Sequence, residues 1–130
     1  MRDHGNRVTP DVELHIRDGA CRAEVAIGPG KVALLEAIME TGSITSAAKK
    51  LGMSYRRAWL LIEETNRCLI GPAVRTASGG ARGGGTMLTP LGIELVRRYR
   101  AVERQAMAAV ARNLSPLLTV VEPRERTRGH

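Results

Sequence analysis

Four consecutive residues near the middle of the chain combine positive charge with hydrogen-bonding groups: Ser54, Tyr55, Arg56 and Arg57. A guanidinium group can donate two parallel hydrogen bonds to a guanine edge, and hydroxyl groups can hydrogen-bond to phosphate oxygens. The run therefore indicates recognition of nucleic acid. The next acidic residue, Glu63, follows about two helical turns later, so a helix that begins here would approach a polyanion by its N-terminal end.

Around this run, the sequence has the pattern of two helices joined by a tight turn. Ser43 can cap the first helix and Ser54 the second, because a serine hydroxyl accepts an unpaired N–H group of the first turn. Gly52 supplies a residue that adopts a positive φ at no steric cost. The apolar positions that would pack the two helices together are Ala47, Ala48, Leu51, Ala58, Leu61 and Ile62. The pattern predicts a helix-turn-helix, whose second helix reads bases in DNA-binding versions; an αα-corner without a ligand is the alternative.

Composition favours a polyanionic partner. The 130 residues carry a formal net charge of +7, and the sequence pI is 10.4. Such a chain is long enough for one domain, and its charge points to nucleic acid or an anionic membrane surface. Trp59, Tyr55 and Tyr99 are the only aromatic residues, which favours double-stranded over single-stranded nucleic acid. Phosphate contacts are expected from Lys49, Lys50, Arg75 and Arg82.

Other classes of protein have little support. No nucleophile–base pair, paired carboxylates or metal-ligand spacing stands out, so we predict no enzyme activity, metal or cofactor. Cys21 and Cys68 lie far apart without a C-x-x-C spacing, and two reduced thiols are expected. No secretory signal or membrane-spanning run is apparent, which predicts a cytoplasmic protein with no membrane partner.

We predict disorder over residues 1–10 and a winged helix-turn-helix domain over 11–89. Alternating apolar residues around Asp18-Gly19 predict an N-terminal hairpin, and helical spacing predicts three helices before the glycine-rich segment. The predicted bounds are 12–27 for the hairpin and 31–41, 44–52 and 54–69 for the helices.

The glycine-rich segment 77–85 lies between two short strand-like runs, so we predict a wing hairpin over 73–89. Arg82 stands at its tip, where it can reach phosphate or the minor groove. One alternative is a flexible loop without contacts. Another is a nucleotide-binding P-loop, but Gly85 occupies the position that requires lysine.

Trp59 is predicted to belong to the core, because Tyr55 and Ile62 occupy neighbouring helical positions; the alternative is an aromatic side chain that contacts DNA. For Tyr55, packing and a phosphate hydrogen bond stay open.

Thr89-Pro90 has the pattern of a helix start, and we predict a long dimerisation helix over 90–114 followed by a C-terminal tail over 115–130. Pro116 is expected to end this helix. Apolar residues at coiled-coil-like spacing predict a homodimer. The predicted contacts are Leu95, Tyr99, Val102, Ala106, Met107 and Val110.

Several motifs together resemble the N-terminal winged-helix domain of the ModE family of bacterial molybdate-responsive transcriptional regulators, whose helix-turn-helix is similar to that of LysR-type regulators. The motifs are Pro29-Gly30-Lys31, Gly42-Ser43-Ile44, Ala47-Ala48, Gly52 to Trp59, the glycines of 79–85 and Leu88 to Gly92. The resemblance implies a homodimeric DNA-binding domain with Ser54, Tyr55, Arg56 and Arg57 opening the recognition helix and Arg82 on the wing. ModE proteins continue into molybdate-binding domains. This chain is expected to lack one, and two alternatives stay open: an effector is sensed through a separate partner, or effector sensing is lost.

The expected fold is mainly α with small β hairpins: a winged helix-turn-helix followed by a long dimerisation helix. The expected function is that of a homodimeric transcriptional regulator that binds a palindromic operator in double-stranded DNA. A winged-helix adaptor that binds another protein is the alternative.

Overall fold

The computed structural model describes residues 9–21, 25–76 and 85–121. These residues fall into two compact units, one within 13–100 and the other formed by 9–12 and 101–121. In chain order the elements are α1 (Pro29–Thr41), α2 (Ile44–Lys50), α3 (Tyr55–Cys68), β1 (Val74–Thr76), β2 (Thr86–Leu88) and α4 (Pro90–Leu118). The predicted mainly α fold with a β hairpin after the helix-turn-helix is confirmed. The predicted disorder over 1–8, the tip of the wing and the tail from 122 onward lie outside the described residues.

Helix α1 is the centre of the core in the first unit. It begins at Pro29, two residues before the predicted start, because proline fits the first helical turn where its missing N–H is not needed. It ends at Thr41, and Gly42 at φ 74° donates its N–H to the carbonyl of Ile38 over 2.8 Å. The α1 side chains in the core are Val32, Leu34, Leu35, Ala37 and Ile38. Side chains of the other helices and of both strands belong to the same buried cluster.

The N-terminal hairpin predicted over 12–27 is not formed as a ladder in the described residues. Ile16 and Ile27 make a single antiparallel bridge, and 22–24 lie outside the described residues. The Asp18 carboxylate accepts the N–H of Ala20 over 3.0 Å, and the Asp18 carbonyl accepts the N–H of Cys21 over 3.1 Å. These bonds favour a short 3-10 turn, Gly19–Cys21, over a two-residue hairpin turn.

The expectation of two reduced thiols is wrong for this structure. Cys21 and Cys68 form a disulfide with their Cα atoms 4.9 Å apart. The fold brings the 3-10 turn against the last residue of α3, although 47 positions separate the cysteines in the sequence. Spacing along the chain could not predict this contact, because tertiary packing creates it.

Helix α4 extends beyond its predicted end. It passes Pro116 and ends at Leu118, so the prediction that Pro116 ends the helix is wrong. Three consecutive i→i−3 hydrogen bonds tighten the chain here, the first from the N–H of Thr119 to the carbonyl of Pro116 over 3.3 Å. Such bonds satisfy carbonyl groups that the last turn of an α-helix leaves unpaired.

Candidate nucleic-acid interface

The turn between α2 and α3 has the geometry that the sequence predicts. The Ser43 hydroxyl accepts the N–H of Ser46 over 2.9 Å and so caps α2. Gly52 adopts a φ of 69°, and the next N–H, that of Met53, is donated to the carbonyl of Ala48 over 3.0 Å. These contacts fix the angle at which the chain enters α3.

The N-terminal turn of α3 carries the four predicted DNA-contacting residues on its surface. The Ser54 hydroxyl accepts the N–H of Arg57 over 3.1 Å, which confirms the predicted cap. Ser54, Tyr55, Arg56 and Arg57 are all exposed, whereas Ala58 is fully buried. The first turn contains no acidic residue. Two guanidinium groups and the positive end of the helix dipole therefore lie at one end of α3.

Trp59 is not a core residue, contrary to the prediction. Its exposed fraction is 44%, and that of Tyr55 is 53%. The buried face of α3 is formed by Ala58, Ile62 and Thr65. Trp59 lies about 100° around the helix from Ala58, which places it outside this face. With Tyr55 and Arg56 it lines a shallow hollow of about 190 Å³ on the surface of α3, the predicted recognition helix.

The acidic part of α3 is partly neutralised by a buried lysine, Lys31, to which the sequence pattern assigns no role in charge pairing. Lys31 Nζ lies 3.0 Å from Glu64 Oε1 and donates to the carbonyls of Val25 over 2.7 Å and Ala26 over 3.2 Å. Lys31 is only 6% exposed. Its helical spacing with Leu35 on the buried face of α1 was the signal that could have identified it. The pair joins α1 to α3 and reduces the negative charge behind the arginines.

A two-stranded wing follows α3. Strands β1 and β2 are antiparallel, with Val74 opposite Leu88 and Arg75 opposite Met87. The N–H of Thr86 is donated to the carbonyl of Gly42 over 2.9 Å, which fixes the wing to the end of α1.

The wing is also tied to the recognition helix by Asn66. Its Oδ1 accepts the N–H groups of Ala73 over 2.8 Å and Val74 over 3.2 Å, and its Nδ2 donates to the carbonyl of Val74 over 3.3 Å. The role of Asn66 could not be predicted from the sequence, because one polar residue in a helix does not indicate its partner.

The candidate phosphate contacts have different surroundings. Lys49 and Lys50 are exposed in the last turn of α2, and Lys50 pairs with Glu40. Arg75 is exposed on β1. Arg82 lies outside the described residues. Lys49 and Arg75 are thus exposed cations on α2 and β1, the elements before and after α3 in the chain.

The P-loop alternative does not fit the strand order. A P-loop joins a strand to a helix, whereas the segment here joins β1 to β2, and Thr86 is the first residue of β2. The wing prediction is therefore retained.

The predicted dimerisation residues separate into two groups. Tyr99 is 3% exposed and its hydroxyl donates to the carbonyl of Leu14 over 2.7 Å. Leu95 packs against the same core. Tyr99 is therefore wrongly assigned to a dimer contact, because the first half of α4 covers its own domain, and Leu95 contributes to that core.

The remaining residues of that set lie in the second unit. Val102 is 47% exposed, while Ala106, Met107 and Val110 are partly exposed. Met107 also lines a hollow of about 360 Å³ with Asp11, Val12, Glu103 and Arg104.

Within the described residues, no group of three or more His, Cys, Asp or Glu side chains could hold a metal ion. No helix in this part of the chain is both long enough and apolar enough to cross a membrane.

A capped recognition helix, a tight turn after α2 and an antiparallel wing define a winged helix-turn-helix domain. No family model matches the chain. It is similar to the molybdenum-pterin-binding protein MopB of Rhodobacter capsulatus, with 43% identity over 105 residues that cover 75% of this chain and 37% of MopB. It is also similar to the DNA-binding transcriptional dual regulator ModE of Escherichia coli (strain K12), with 41% identity over 71 residues, or 55% of this chain and 27% of that protein. The sequence of this winged helix-turn-helix domain is thus similar to that of ModE proteins.

The chain spans about a third or less of the length of these relatives. Among solved structures, it is similar to ArgP from Mycobacterium tuberculosis, with a TM-score of 0.46 and 23% identity over 64% of this chain and 30% of ArgP.

Proposed function

We propose that this chain is a transcriptional regulator that binds double-stranded DNA through the N-terminal end of α3. The observation that carries the proposal is the position of Arg56 and Arg57. Both are exposed on an acid-free first turn, and the next residue, Ala58, is fully buried and fixes that turn to the core. Two guanidinium groups held in this way suit bidentate contacts with guanine in the major groove. The similar protein of Escherichia coli is named a DNA-binding transcriptional regulator, which supports the same function here.

Charges on both sides of α3 would hold the domain on the DNA backbone. Lys49 lies at the end of α2, and Arg75 lies on the first wing strand. Arg82, in the segment between the wing strands, is assigned a phosphate contact from its place in the glycine-rich sequence and from the resemblance. Lys50 would contribute less, because Glu40 already neutralises part of its charge. Contacts of this kind determine orientation and affinity without reading sequence.

The salt dependence of duplex binding tests this proposal. The logarithm of the binding constant should fall linearly with the logarithm of salt concentration, with a slope of about −0.9 for each phosphate contact. Arg75→Ala should make that slope less steep by about 0.9, the contribution of one phosphate contact. Replacing both Arg56 and Arg57 by alanine should abolish preference between duplexes. Arg67→Ala is the matched control, since Arg67 is exposed in the last turn of the same helix.

The adaptor alternative gives a different outcome. A winged helix that bound only protein would show the same weak affinity for every duplex in both the parent and the double arginine variant. Absence of binding to any duplex at low salt would contradict the proposed function.

We further propose that the regulator is a homodimer formed through the second half of α4, which would match a palindromic operator. Val102 and Leu117 are exposed to 47% and 54%, and Val110 lies between them at helical spacing. A helix that exposes apolar side chains at such spacing is suited to pair with a second copy.

Sedimentation analysis can test the dimer. Replacing Val102 and Val110 by glutamate should give a monomer with an unchanged helical content. Ala108→Glu is the control, because Ala108 is exposed on the same helix but falls outside the stripe. A parent chain that stays monomeric at high concentration would contradict this proposal and leave DNA contact by α3 unaffected.

A further inference from the structure

The disulfide lies at the junction between the N-terminal segment and the recognition helix. Cys21 ends the 3-10 turn that follows Ile16, and Cys68 is the last residue of α3. Cys21 is 7% exposed, whereas Cys68 is partly exposed. Of the two residues that the bond joins, Cys68 is therefore the more exposed to solvent.

The segment that Cys21 anchors also supplies contacts to the recognition helix. The carbonyls of Val25 and Ala26 hold the ammonium group of Lys31, which in turn pairs with Glu64 on α3. The Ile16–Ile27 bridge closes the same segment, with the N–H of Ile16 donated to the carbonyl of Ile27 over 2.8 Å. An isolated bridge and a few hydrogen bonds give little independent stability. The disulfide adds a covalent cross-link between this segment and α3.

We propose that Cys21 and Cys68 form a thiol–disulfide exchange site, which reacts with small disulfides of the glutathione class and reversibly links the N-terminal segment to the recognition helix. The two thiols lie within one fold at the Cα separation, 4.9 Å, that a disulfide requires. Closure is therefore intramolecular and needs no second copy of the chain.

The difference in exposure determines the order of the two steps. In the reduced protein, the Cys68 thiol gives its proton to solvent and attacks one sulfur of oxidised glutathione. The sulfur–sulfur bond of the reagent breaks, one glutathione leaves as thiolate, and a mixed disulfide forms on Cys68. The Cys21 thiolate then attacks the Cys68 sulfur and releases the second glutathione. Two protein thiols are oxidised, and one glutathione disulfide is reduced to two thiols. Excess reduced glutathione reverses both steps.

Mass spectrometry of single-cysteine variants tests the order. Cys21→Ser should accumulate one glutathione on Cys68 when incubated with oxidised glutathione. Cys68→Ser should react about tenfold more slowly at Cys21, because burial limits access to the thiol. In guanidinium chloride the two variants should react at similar rates, since the difference arises from the fold. Equal rates in the folded state would overturn the assigned order.

Hydrogen–deuterium exchange of the full chain tests the link. Reduction should increase exchange at the amides of Ile16 and Ile27, and oxidised glutathione should restore protection. In Cys68→Ser, the amides of Ile16 and Ile27 should exchange fast both after reduction and after treatment with oxidised glutathione. Exchange at the amides of α1 should be unchanged and serves as an internal control. A reduced protein that never recovers the intramolecular disulfide with oxidised glutathione, or whose amide exchange is the same in both states, would overturn the proposal. Neither result depends on DNA binding.

Discussion

The side chain of Asn66, on the recognition helix, hydrogen-bonds both backbone groups of Val74 on the first wing strand. The two bonds are 3.2 Å at the N–H and 3.3 Å at the carbonyl, and the N–H of Ala73 is donated to the same side-chain oxygen over 2.8 Å. One amide group therefore sets where the wing begins relative to the residues proposed to read DNA.

Asn66→Ala should lower the free energy of unfolding by about 1–3 kcal/mol, because partly buried backbone groups lose their partner. Urea denaturation measures this change. Asn113→Ala is the matched control, since the exposed Asn113 side chain donates to the carbonyl of Ala109 on its own helix, and a change within about 0.5 kcal/mol is expected there. Equal losses in the two variants would show that the contacts of Asn66 with the wing add no stability.

Trp59→Ala should affect DNA binding more than stability. A tryptophan truncated in a core costs about 3–5 kcal/mol, but Trp59 is 44% exposed, so we expect a loss of roughly 1 kcal/mol or less. Thermal or urea denaturation measures the stability, and titration with a selected duplex measures the affinity. Trp59→Phe, which keeps an aromatic ring, should retain more affinity than the alanine variant. A stability loss above about 3 kcal/mol would instead place Trp59 in the core.

Gly92→Ala should be strongly destabilising, although the substitution adds only one methyl group. A Cβ at Gly92 would collide with the backbone carbonyl of Ala73, at the junction of the wing and α4. Overpacking of this kind costs about 1–3 kcal/mol.

The control for this substitution is Gly30→Ala, because a Cβ at Gly30 meets no atom within 4 Å. Gly30 lies in the first turn of α1, where alanine should be neutral or stabilising by up to about 1 kcal/mol. The denaturant midpoints of the two variants should therefore shift from that of the parent chain in opposite directions, or by clearly different amounts. Similar midpoints would contradict the close approach of α4 to Ala73.

The ion pair between Glu36 and Arg100 should give stability a pH dependence. Arg100 donates to Glu36 over 2.9 Å and 2.6 Å, and this hydrogen bonding with Arg100 holds the pKa of the Glu36 carboxyl below its ordinary value. A carboxyl whose pKa is lower in the folded state stabilises the fold above its unfolded pKa, about 4.3. That contribution is lost as pH falls through the lower folded pKa.

Arg100→Met should therefore destabilise the domain at neutral pH, by roughly 1 kcal/mol or less for a pair that remains partly exposed. The difference from the parent should shrink at pH values below about 4. Denaturation at several pH values measures it. Arg97→Met, at a more exposed arginine on the same helix, is the control and should show a smaller difference. A difference that stays constant across this range would contradict the role of the Glu36 carboxylate.

Sequence predicted the helix-turn-helix well because its determinants are local. The caps at Ser43 and Ser54 and the positive φ of Gly52 depend on residues within one or two turns. Trp59 and Tyr99 were misassigned for a different reason. Helical spacing places residues on a stripe, but it does not say which of two adjacent stripes faces the core, or whether the core belongs to the same chain.

Contacts between distant residues were also missed. The Cys21–Cys68 disulfide and the pairing of Lys31 with Glu64 depend on segments that only the folded chain brings together. Helical spacing can place Lys31 on the buried face of α1, but it identifies neither Glu64 as its partner nor the pairing of the two cysteines. Both nevertheless involve the recognition helix, which shows that its position depends on more than the turn before it.

The most direct test of the central claim is the affinity of the parent chain, Arg56→Ala and Arg57→Ala for a duplex selected from a random library and for its single-base variants. At fixed salt, at least one arginine variant should lose about 1–3 kcal/mol on the selected duplex and lose discrimination at one base pair. Its affinity for unrelated duplexes should change little. Equal loss on every duplex, or discrimination that survives in both variants, would contradict base recognition by the N-terminal turn of α3.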